Sequence, residues 1–130
     1  MRCLVRASSL HQGSEKLERN LRRYGLWNPD WSERLEVVLG DLAQPKLGLD
    51  SDQFAALGQG VGGILHNGAQ LSQMASYAQL AAANVGGTRE LLHLATAASP
   101  MRFELISSVA VFEADAYRDQ VIAEDDVLAD

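Results

Sequence analysis

Three short segments decide the order of elements in this chain: ILHNGA at residues 64–69, NVGGTRELL at 84–92 and LISSVAVF at 105–112. The first and third are apolar runs that end in small or polar residues, and the middle one carries apolar residues at helical spacing. Together they predict a strand, a helix and a second strand. Because an open parallel sheet binds its ligand outside the carboxyl ends of its strands, the residues that end the two runs are candidate site residues.

The same patterns extend over the rest of the chain. Apolar runs predict four strands, near residues 3–5, 35–39, 61–65 and 102–107. Helical spacing predicts helices from Ser14 to Gly25, from 51 to 57 and from 74 to 98. Strands that alternate with helices imply right-handed crossovers and a parallel sheet. We therefore predict an α/β fold, and the length of 130 residues predicts a single domain.

The charge is unevenly distributed. Residues 1–112 contain ten Lys and Arg and ten Asp and Glu, so the net charge of -6 belongs to residues 113–130. This segment is predicted to be a solvated acidic loop, and its charge argues against a nucleic-acid partner. No apolar run approaches the roughly 18 residues of a membrane span, and the single cysteine, Cys3, favours a reducing compartment. We expect a cytoplasmic protein without a membrane, nucleic-acid or metal partner.

Polar or small residues follow the first three predicted strands. Arg6 ends the first, where its guanidinium could pair bidentately with a phosphate or simply lie in solvent. Asp41 follows the second, where it could accept from a nucleobase amino group or cap a turn. Asn-Gly-Ala at 67–69 ends the third and suits either close approach of a ligand or a simple turn. His66, just before it, is predicted to be packed and hydrogen-bonded rather than an acid–base group.

The last two candidates lie on the long helix and after the fourth strand. Two glycines inside a helix, at 86–87, each cost about 1 kcal/mol relative to Ala, which indicates close contact between helix and sheet. Asn84 on the same face could tie the helix to neighbouring backbone or to the site. Ser107 and Ser108 end the fourth strand, and alternation turns only one of them towards a ligand. Ser108 is the better candidate for a hydroxyl that stabilises negative charge on a substrate carbonyl.

Taken together, these segments resemble the extended short-chain dehydrogenase/reductases. More narrowly, they resemble the thioester reductase domains that end nonribosomal peptide synthetases and carboxylic acid reductases. The resemblance covers residues 2–126. It is carried by CLVRA at 3–7, YGLW at 24–27, GDLA at 40–43, PKLGL at 45–49, HNGA at 66–69, NVGGT at 84–88 and the serine pair at 107–108.

The resemblance implies a Rossmann-type sheet that binds NADPH and releases a carrier-bound acyl or peptidyl thioester by hydride transfer, as an aldehyde or an alcohol. The implied partners are that carrier protein and the rest of a larger multidomain chain. Ser108 is implied to be the catalytic hydroxyl. The implied cofactor-binding residues are Arg6 at the 2′-phosphate, Asp41 and Leu42 at the adenine, Asn67, Gly68 and Ala69 along the cofactor, and Asn84 in support.

Two features of that family are absent from this sequence. There is no first strand with a Gly-x-x-Gly-x-x-Gly turn, and no Tyr-x-x-x-Lys pair, since Tyr117 is followed four residues later by Val121. In the family the missing strand lies between the first and third strands predicted here. We therefore expect an incomplete sheet, a partial dinucleotide-binding domain over residues 1–130, that is inactive alone. Two alternatives are a fragment of a nucleotide-sugar epimerase or dehydratase, and a non-catalytic dinucleotide-binding or partner-docking remnant.

Overall fold

The computed structural model describes residues 1–97, 100–112 and 115–126, and in it four short strands form two separate parallel pairs. The strands are β1 (Arg2–Val5), β2 (Glu36–Leu39), β3 (Gly63–His66) and β4 (Arg102–Leu105). β1 pairs with β2, with Arg2 opposite Glu36, and β3 pairs with β4, with Gly63 opposite Arg102. The predicted α/β class and parallel pairing are confirmed. The expected gap in the sheet lies between the two pairs.

The first helix, α1 (Leu10–Arg23), begins earlier than the sequence pattern predicts. We expected Ser14 as its N-cap, but Ser9 caps the helix by accepting from the backbone N–H of Gln12. The prediction was wrong because the first turn carries few apolar residues, so helical periodicity becomes visible only after the helix has begun. The predicted end is confirmed: Gly25 has a φ of 68°, and Leu26 donates back to the Leu21 carbonyl at 2.8 Å, which closes the helix.

The remaining helices lie close to their predicted places. α2 (Ser51–Leu57) starts with a capping box made by Asp50 and Gln53. The predicted long helix is continuous from residue 77 to residue 96, as α3 (Tyr77–Ala81), a π-helical turn (Ala82–Gly86) and α4 (Gly87–Thr96). Its predicted end at residue 98 lies outside the described residues. A π turn in the middle of a helix is frequent at functional sites.

The buried apolar core lies between α4 and the loop that follows β2. Leu91 and Leu94 of α4 are buried, and Leu47 of the loop is 0% exposed. Leu47 also has a φ of 60°, a left-handed conformation that costs a non-glycine residue about 1–2 kcal/mol. Burial of its side chain offsets that cost. The Leu47 carbonyl accepts from the Asp41 amide at 2.8 Å. Leu47 therefore anchors the loop on which Asp41 lies.

The two helix glycines have different surroundings. A Cβ on Gly87 would lie 2.8 Å from the backbone oxygen of Leu42, whereas a Cβ on Gly86 would meet no neighbour closer than 3.7 Å. The predicted close contact is therefore present at Gly87, and it is made with the loop after β2 rather than with a strand.

Replacing Gly87 with Ala should destabilise the fold by about 1–3 kcal/mol, because the Leu42 backbone cannot move aside cheaply. Gly86→Ala is the matched control. It should be neutral or stabilising by up to about 1 kcal/mol, because it gains helix propensity without a clash. Urea unfolding of both variants measures the difference. Equal destabilisation of the two would show that the Leu42 contact does not set the requirement for glycine.

The acidic C-terminal segment is only partly described. Of residues 113–130, positions 113–114 and 127–130 lie outside the described residues. The described part holds one 3-10 turn (Asp115–Tyr117) and no strand. No helix in the described part of the chain has both the length and the apolar character that crossing a membrane requires.

Candidate functional site

A cavity of about 830 Å³ runs between β1 and β3 and opens at the carboxyl ends of β1, β2 and β3. The segments that follow these three strands all reach it, as the parallel pairing requires. Apolar side chains from the helices also line its wall, among them Leu17, Leu91 and Leu94. Six of the predicted cofactor-binding residues line the same cavity: Arg6, Asp41, Leu42, Asn67, Gly68 and Ala69.

Arg6 and Asp41 lie beside each other at the rim. One Arg6 guanidinium nitrogen is 3.8 Å from Asp41 Oδ2, and the Arg6 side chain is 79% exposed, so this is a loose surface ion pair worth little stability. The other Asp41 oxygen accepts from the Ala43 amide at 2.9 Å. Of the two roles left open for Asp41, the structure shows the turn cap. Contact with an adenine stays a prediction.

Lys16 is a residue that the sequence analysis missed. Its ammonium group donates to the Arg6 carbonyl at 2.7 Å, which adds a second positive charge beside the turn after β1. The available signal was its place on the helix that directly follows Arg6. Lys16 does not line the cavity, so its contribution there is to hold the turn that carries Arg6.

Leu42 is wedged between the turn after β3 and the long helix. A Cβ on Gly68 would lie 2.6 Å from Leu42 Cδ1, and a Cβ on Gly87 would lie 2.9 Å from Leu42 Cβ. The small size of Gly68 therefore has a reason inside the protein, in addition to the predicted approach of a ligand. The Leu42 wedge fixes the turn after β2 against the turn after β3, and these two turns carry most of the predicted cofactor contacts.

Asn84 does not line the cavity, but it holds a residue that does. Its side-chain oxygen accepts from the Gln70 amide at 2.7 Å, and its side-chain nitrogen donates to the Gln70 carbonyl at 3.0 Å. This two-point contact ties the end of the turn after β3 to the π turn of the long helix. The predicted link between Asn84 and neighbouring backbone is thus present, and Gln70 is the residue that the sequence did not reveal.

His66 belongs to the same hydrogen-bond network as Asn84. Thr88 Oγ1 donates to the Asn84 carbonyl at 2.6 Å and lies 3.0 Å from His66 Nε2, while the Gly68 amide donates to His66 Nδ1 at 3.4 Å. With Nδ1 accepting, Nε2 carries the proton that Thr88 Oγ1 accepts. Burial lowers the pKa of His66, which favours this neutral form. His66 is 4% exposed, packed and hydrogen-bonded, as predicted.

Ser108 lies apart from the cavity lining. β4 ends at Leu105, so the predicted strand to residue 107 is too long, and the alternation used to choose between the two serines does not reach them. Ser108 instead accepts from the Ala110 amide at 3.2 Å and starts the 3-10 turn Val109–Phe112. It follows the carboxyl end of β4, on the edge where the other candidates follow their strands. Its catalytic role stays a prediction.

The residues around the cavity fit a nicotinamide dinucleotide. Only part of this cavity, which also runs between β1 and β3, lies at the strand ends, where Arg6, Asp41 and residues 67–70 line it. Arg6, beside Asp41, supplies a positive charge at one end, and the turn at 67–70 supplies backbone and amide groups along the other. Such a cofactor supplies the hydride when it is bound, and the chain supplies binding, orientation and charge.

Comparison with known proteins agrees with this fit and places the chain in a family of nicotinamide-dinucleotide-binding proteins. The model of an NAD-binding family described as "Male sterility protein" matches residues 1–127. The chain belongs to this family. The family match and the structural match confirm the predicted resemblance to reductases of the extended short-chain type.

Individual relatives and solved structures show which members of the family are similar to this chain. The chain is 40% identical over 126 residues to a component of the linear gramicidin synthase of Brevibacillus parabrevis, covering 96% of this chain and 2% of that protein. It is 35% identical over 114 residues to the large chain of the L-2-aminoadipate reductase of Penicillium chrysogenum, covering 88% and 8%. The crystal structure of the terminal R domain from the myxalamid PKS-NRPS biosynthetic pathway superposes with a TM-score of 0.91 at 38% identity, covering 98% of this chain.

The chain spans only a part of each of these proteins. It covers 32% of the myxalamid domain, and 27% of the reductase domain of a nonribosomal peptide synthetase from Mycobacterium tuberculosis, which superposes with a TM-score of 0.68 at 31% identity. The chain therefore corresponds to about a third of a reductase domain.

Proposed function

We propose that this chain forms the cofactor-binding part of an NADPH-dependent reductase that releases a carrier-bound acyl or peptidyl thioester as an aldehyde or an alcohol. In this proposal it works within a larger multidomain chain. Its relatives include a linear gramicidin synthase and an aminoadipate reductase, and its structural neighbours are reductase domains of peptide synthetases. None of the relatives and structures named above is a nucleotide-sugar enzyme.

One observation carries the proposal. Six residues chosen from sequence as cofactor contacts, from three separate strand ends, line one cavity. In a sheet of parallel strands this meeting point is where a dinucleotide lies. The proposal assigns Arg6 to the 2′-phosphate, because a guanidinium matches a phosphate bidentately and Arg6 is largely free of its loose pair with Asp41. The turn after β3 lies along the cofactor, held by Asn84.

A hybrid domain tests the proposal. Residues 1–130 would replace the matching third of the myxalamid domain, with which they share 38% identity, and the unaltered domain would be the reference. We expect NADPH binding, and NADPH oxidation with a carrier-bound acyl thioester. A folded hybrid that binds neither NADPH nor NADH would contradict the proposal, and binding without turnover would favour the non-catalytic alternative.

In the hybrid, Arg6→Ala should weaken NADPH binding about 10- to 100-fold and change NADH binding less than about twofold, since only NADPH carries the phosphate that Arg6 is proposed to pair with. Arg102→Ala is the matched control, because Arg102 is 81% exposed, pairs with Glu104 and does not line the cavity. Titration by cofactor fluorescence measures both. Equal losses for NADPH and NADH would refute the phosphate assignment.

A further inference from the structure

The turn after β3 is bonded to the long helix at two points. At the far end of the turn, Asn84 holds both the amide and the carbonyl of Gln70. At the near end, the Gly68 amide donates to His66 Nδ1, and the other ring nitrogen of His66 contacts Thr88. Residues four apart lie on the same face of a helix, so Asn84 and Thr88 tie both ends of the turn to one face.

The bonds through His66 form a chain with a single direction. The Thr88 hydroxyl donates its only proton to the Asn84 carbonyl at 2.6 Å, so Thr88 Oγ1 can only accept from His66 Nε2, 3.0 Å away. A neutral imidazole that donates from Nε2 must accept at Nδ1. The helix thus selects the one tautomer of His66 that can accept from the Gly68 amide.

The surroundings of His66 keep its ring in this state. The side chain is 4% exposed, and the Phe103 ring packs against the imidazole at an interplanar angle of 60°, with ring centroids 6.3 Å apart. Burial lowers the pKa of His66 and so favours the neutral ring. Rotation of the ring, or a second proton on Nδ1, would leave the Gly68 amide without its acceptor.

The same bonds determine which groups of the turn remain for a ligand. The amides of Gly68 and Gln70 both donate to side chains of this protein. No hydrogen bond joins the backbone of Asn67 or Ala69 to the described part of the chain, and both residues line the cavity. Every second residue of the turn therefore holds it in place, and the backbone groups of Asn67 and Ala69 are left for the cavity.

We propose that His66 is a positioning residue for the cofactor: its Nδ1 holds the Gly68 amide, so that the turn keeps one conformation along the dinucleotide. Thr88 supports this role by fixing the tautomer. His66 acts through the turn rather than on the reacting atoms. The inference rests on the proposed function only for the identity of the ligand, because the bonds themselves lie within the chain.

Two variants of His66 separate this role from simple packing. The oxygen of an Asn side chain is separated from Cα by the same number of bonds as His Nδ1, and the end group of Gln by the same number as Nε2. Gln is closer to His in volume, so a packing role predicts that Gln is tolerated better. Positioning through Nδ1 predicts the reverse order. In the hybrid domain, His66→Asn should bind NADPH within about threefold of the parent, and His66→Gln about 10- to 30-fold more weakly.

Nuclear magnetic resonance on the 130-residue chain tests the same bond without a cofactor. The nitrogen chemical shifts of His66 should show a protonated Nε2 and an accepting Nδ1. Thr88→Val keeps the shape of the side chain but removes the acceptor, so the ring should show both tautomers and the Gly68 amide should exchange at least about fivefold faster. Thr88→Ser keeps the hydroxyl and should preserve both signals. His93→Gln, at an exposed position on α4, is the control and should change neither.

The proposal is overturned if the parent ring is protonated at Nδ1, if His66→Gln binds NADPH as well as His66→Asn, or if Thr88→Val leaves the exchange of the Gly68 amide unchanged. Where a His66 variant does not fold, the Thr88 pair decides. A parent hybrid that binds neither NADPH nor NADH contradicts the proposed function instead. The Gly68 amide of the 130-residue chain then still decides whether His66 positions the turn.

Discussion

Replacing Ser108 with Ala in a reductase domain that contains residues 1–130 should lower the rate constant of hydride transfer about 100- to 1,000-fold, as removal of one donor to a developing oxyanion does. The Ser108 oxygen accepts from the Ala110 amide, and this bond does not use the hydroxyl proton. That proton is proposed to be donated to the substrate carbonyl oxygen as hydride arrives. NADPH affinity should be unchanged, because Ser108 does not line the cavity.

Single-turnover oxidation of bound NADPH measures this rate constant. Ser107→Ala is the matched control: it removes the same hydroxyl one residue earlier, at a position that is also exposed after β4, and it should keep the normal rate. An unchanged rate for Ser108→Ala would remove Ser108 from the mechanism. A large loss for Ser107→Ala alone would transfer the role to its neighbour.

Replacing Leu47 with Ala should lower the free energy of unfolding by about 2–5 kcal/mol, the range for truncating a fully buried leucine. Leu47 is 0% exposed, and Ala would keep its left-handed backbone without the burial that offsets it. The loop that carries Asp41 and Leu42 depends on this anchor, so cofactor affinity in the hybrid domain should fall as well.

Urea unfolding of the chain measures the effect, through the midpoint and slope of the transition. Leu71→Ala is the control, since Leu71 is 88% exposed and its loss should change the unfolding free energy by less than about 0.5 kcal/mol. Similar losses for the two variants would mean that Leu47 is not an anchor of this loop.

Much of the fold could be predicted because the signals are local. β1, β2 and β3 each contain adjacent apolar residues, β4 alternates charged and apolar residues, and α2 begins at a capping box that is visible in the sequence. The start of α1 was missed because its first turn, residues 10–13, holds only one apolar residue, so the helical periodicity becomes visible only later. The length of β4 was missed because Leu105 and Ile106 are equally apolar, so the pattern does not show that the last bond to β3 comes from the Ile106 amide.

The candidate site could be predicted only in part. Arg6, Asp41 and residues 67–69 follow strands, and parallel pairing brings strand ends to one edge, so their meeting is expected from order alone. The contact of Asn84 with Gln70 and the bond between His66 and Thr88 join residues 14 and 22 positions apart. No local pattern specifies such pairs, because they arise only when a helix packs on a strand end.

The sequence by itself determined the class of fold, the order of the strands along the chain and six of the residues that line the cavity, since periodicity and strand-end chemistry are local properties. Only the tertiary structure decided what holds those residues in place. The Leu42 wedge, the Leu47 anchor and the open gap between β1 and β3 depend on distances between segments far apart in the chain. Those distances follow from packing, which is a property of the whole molecule.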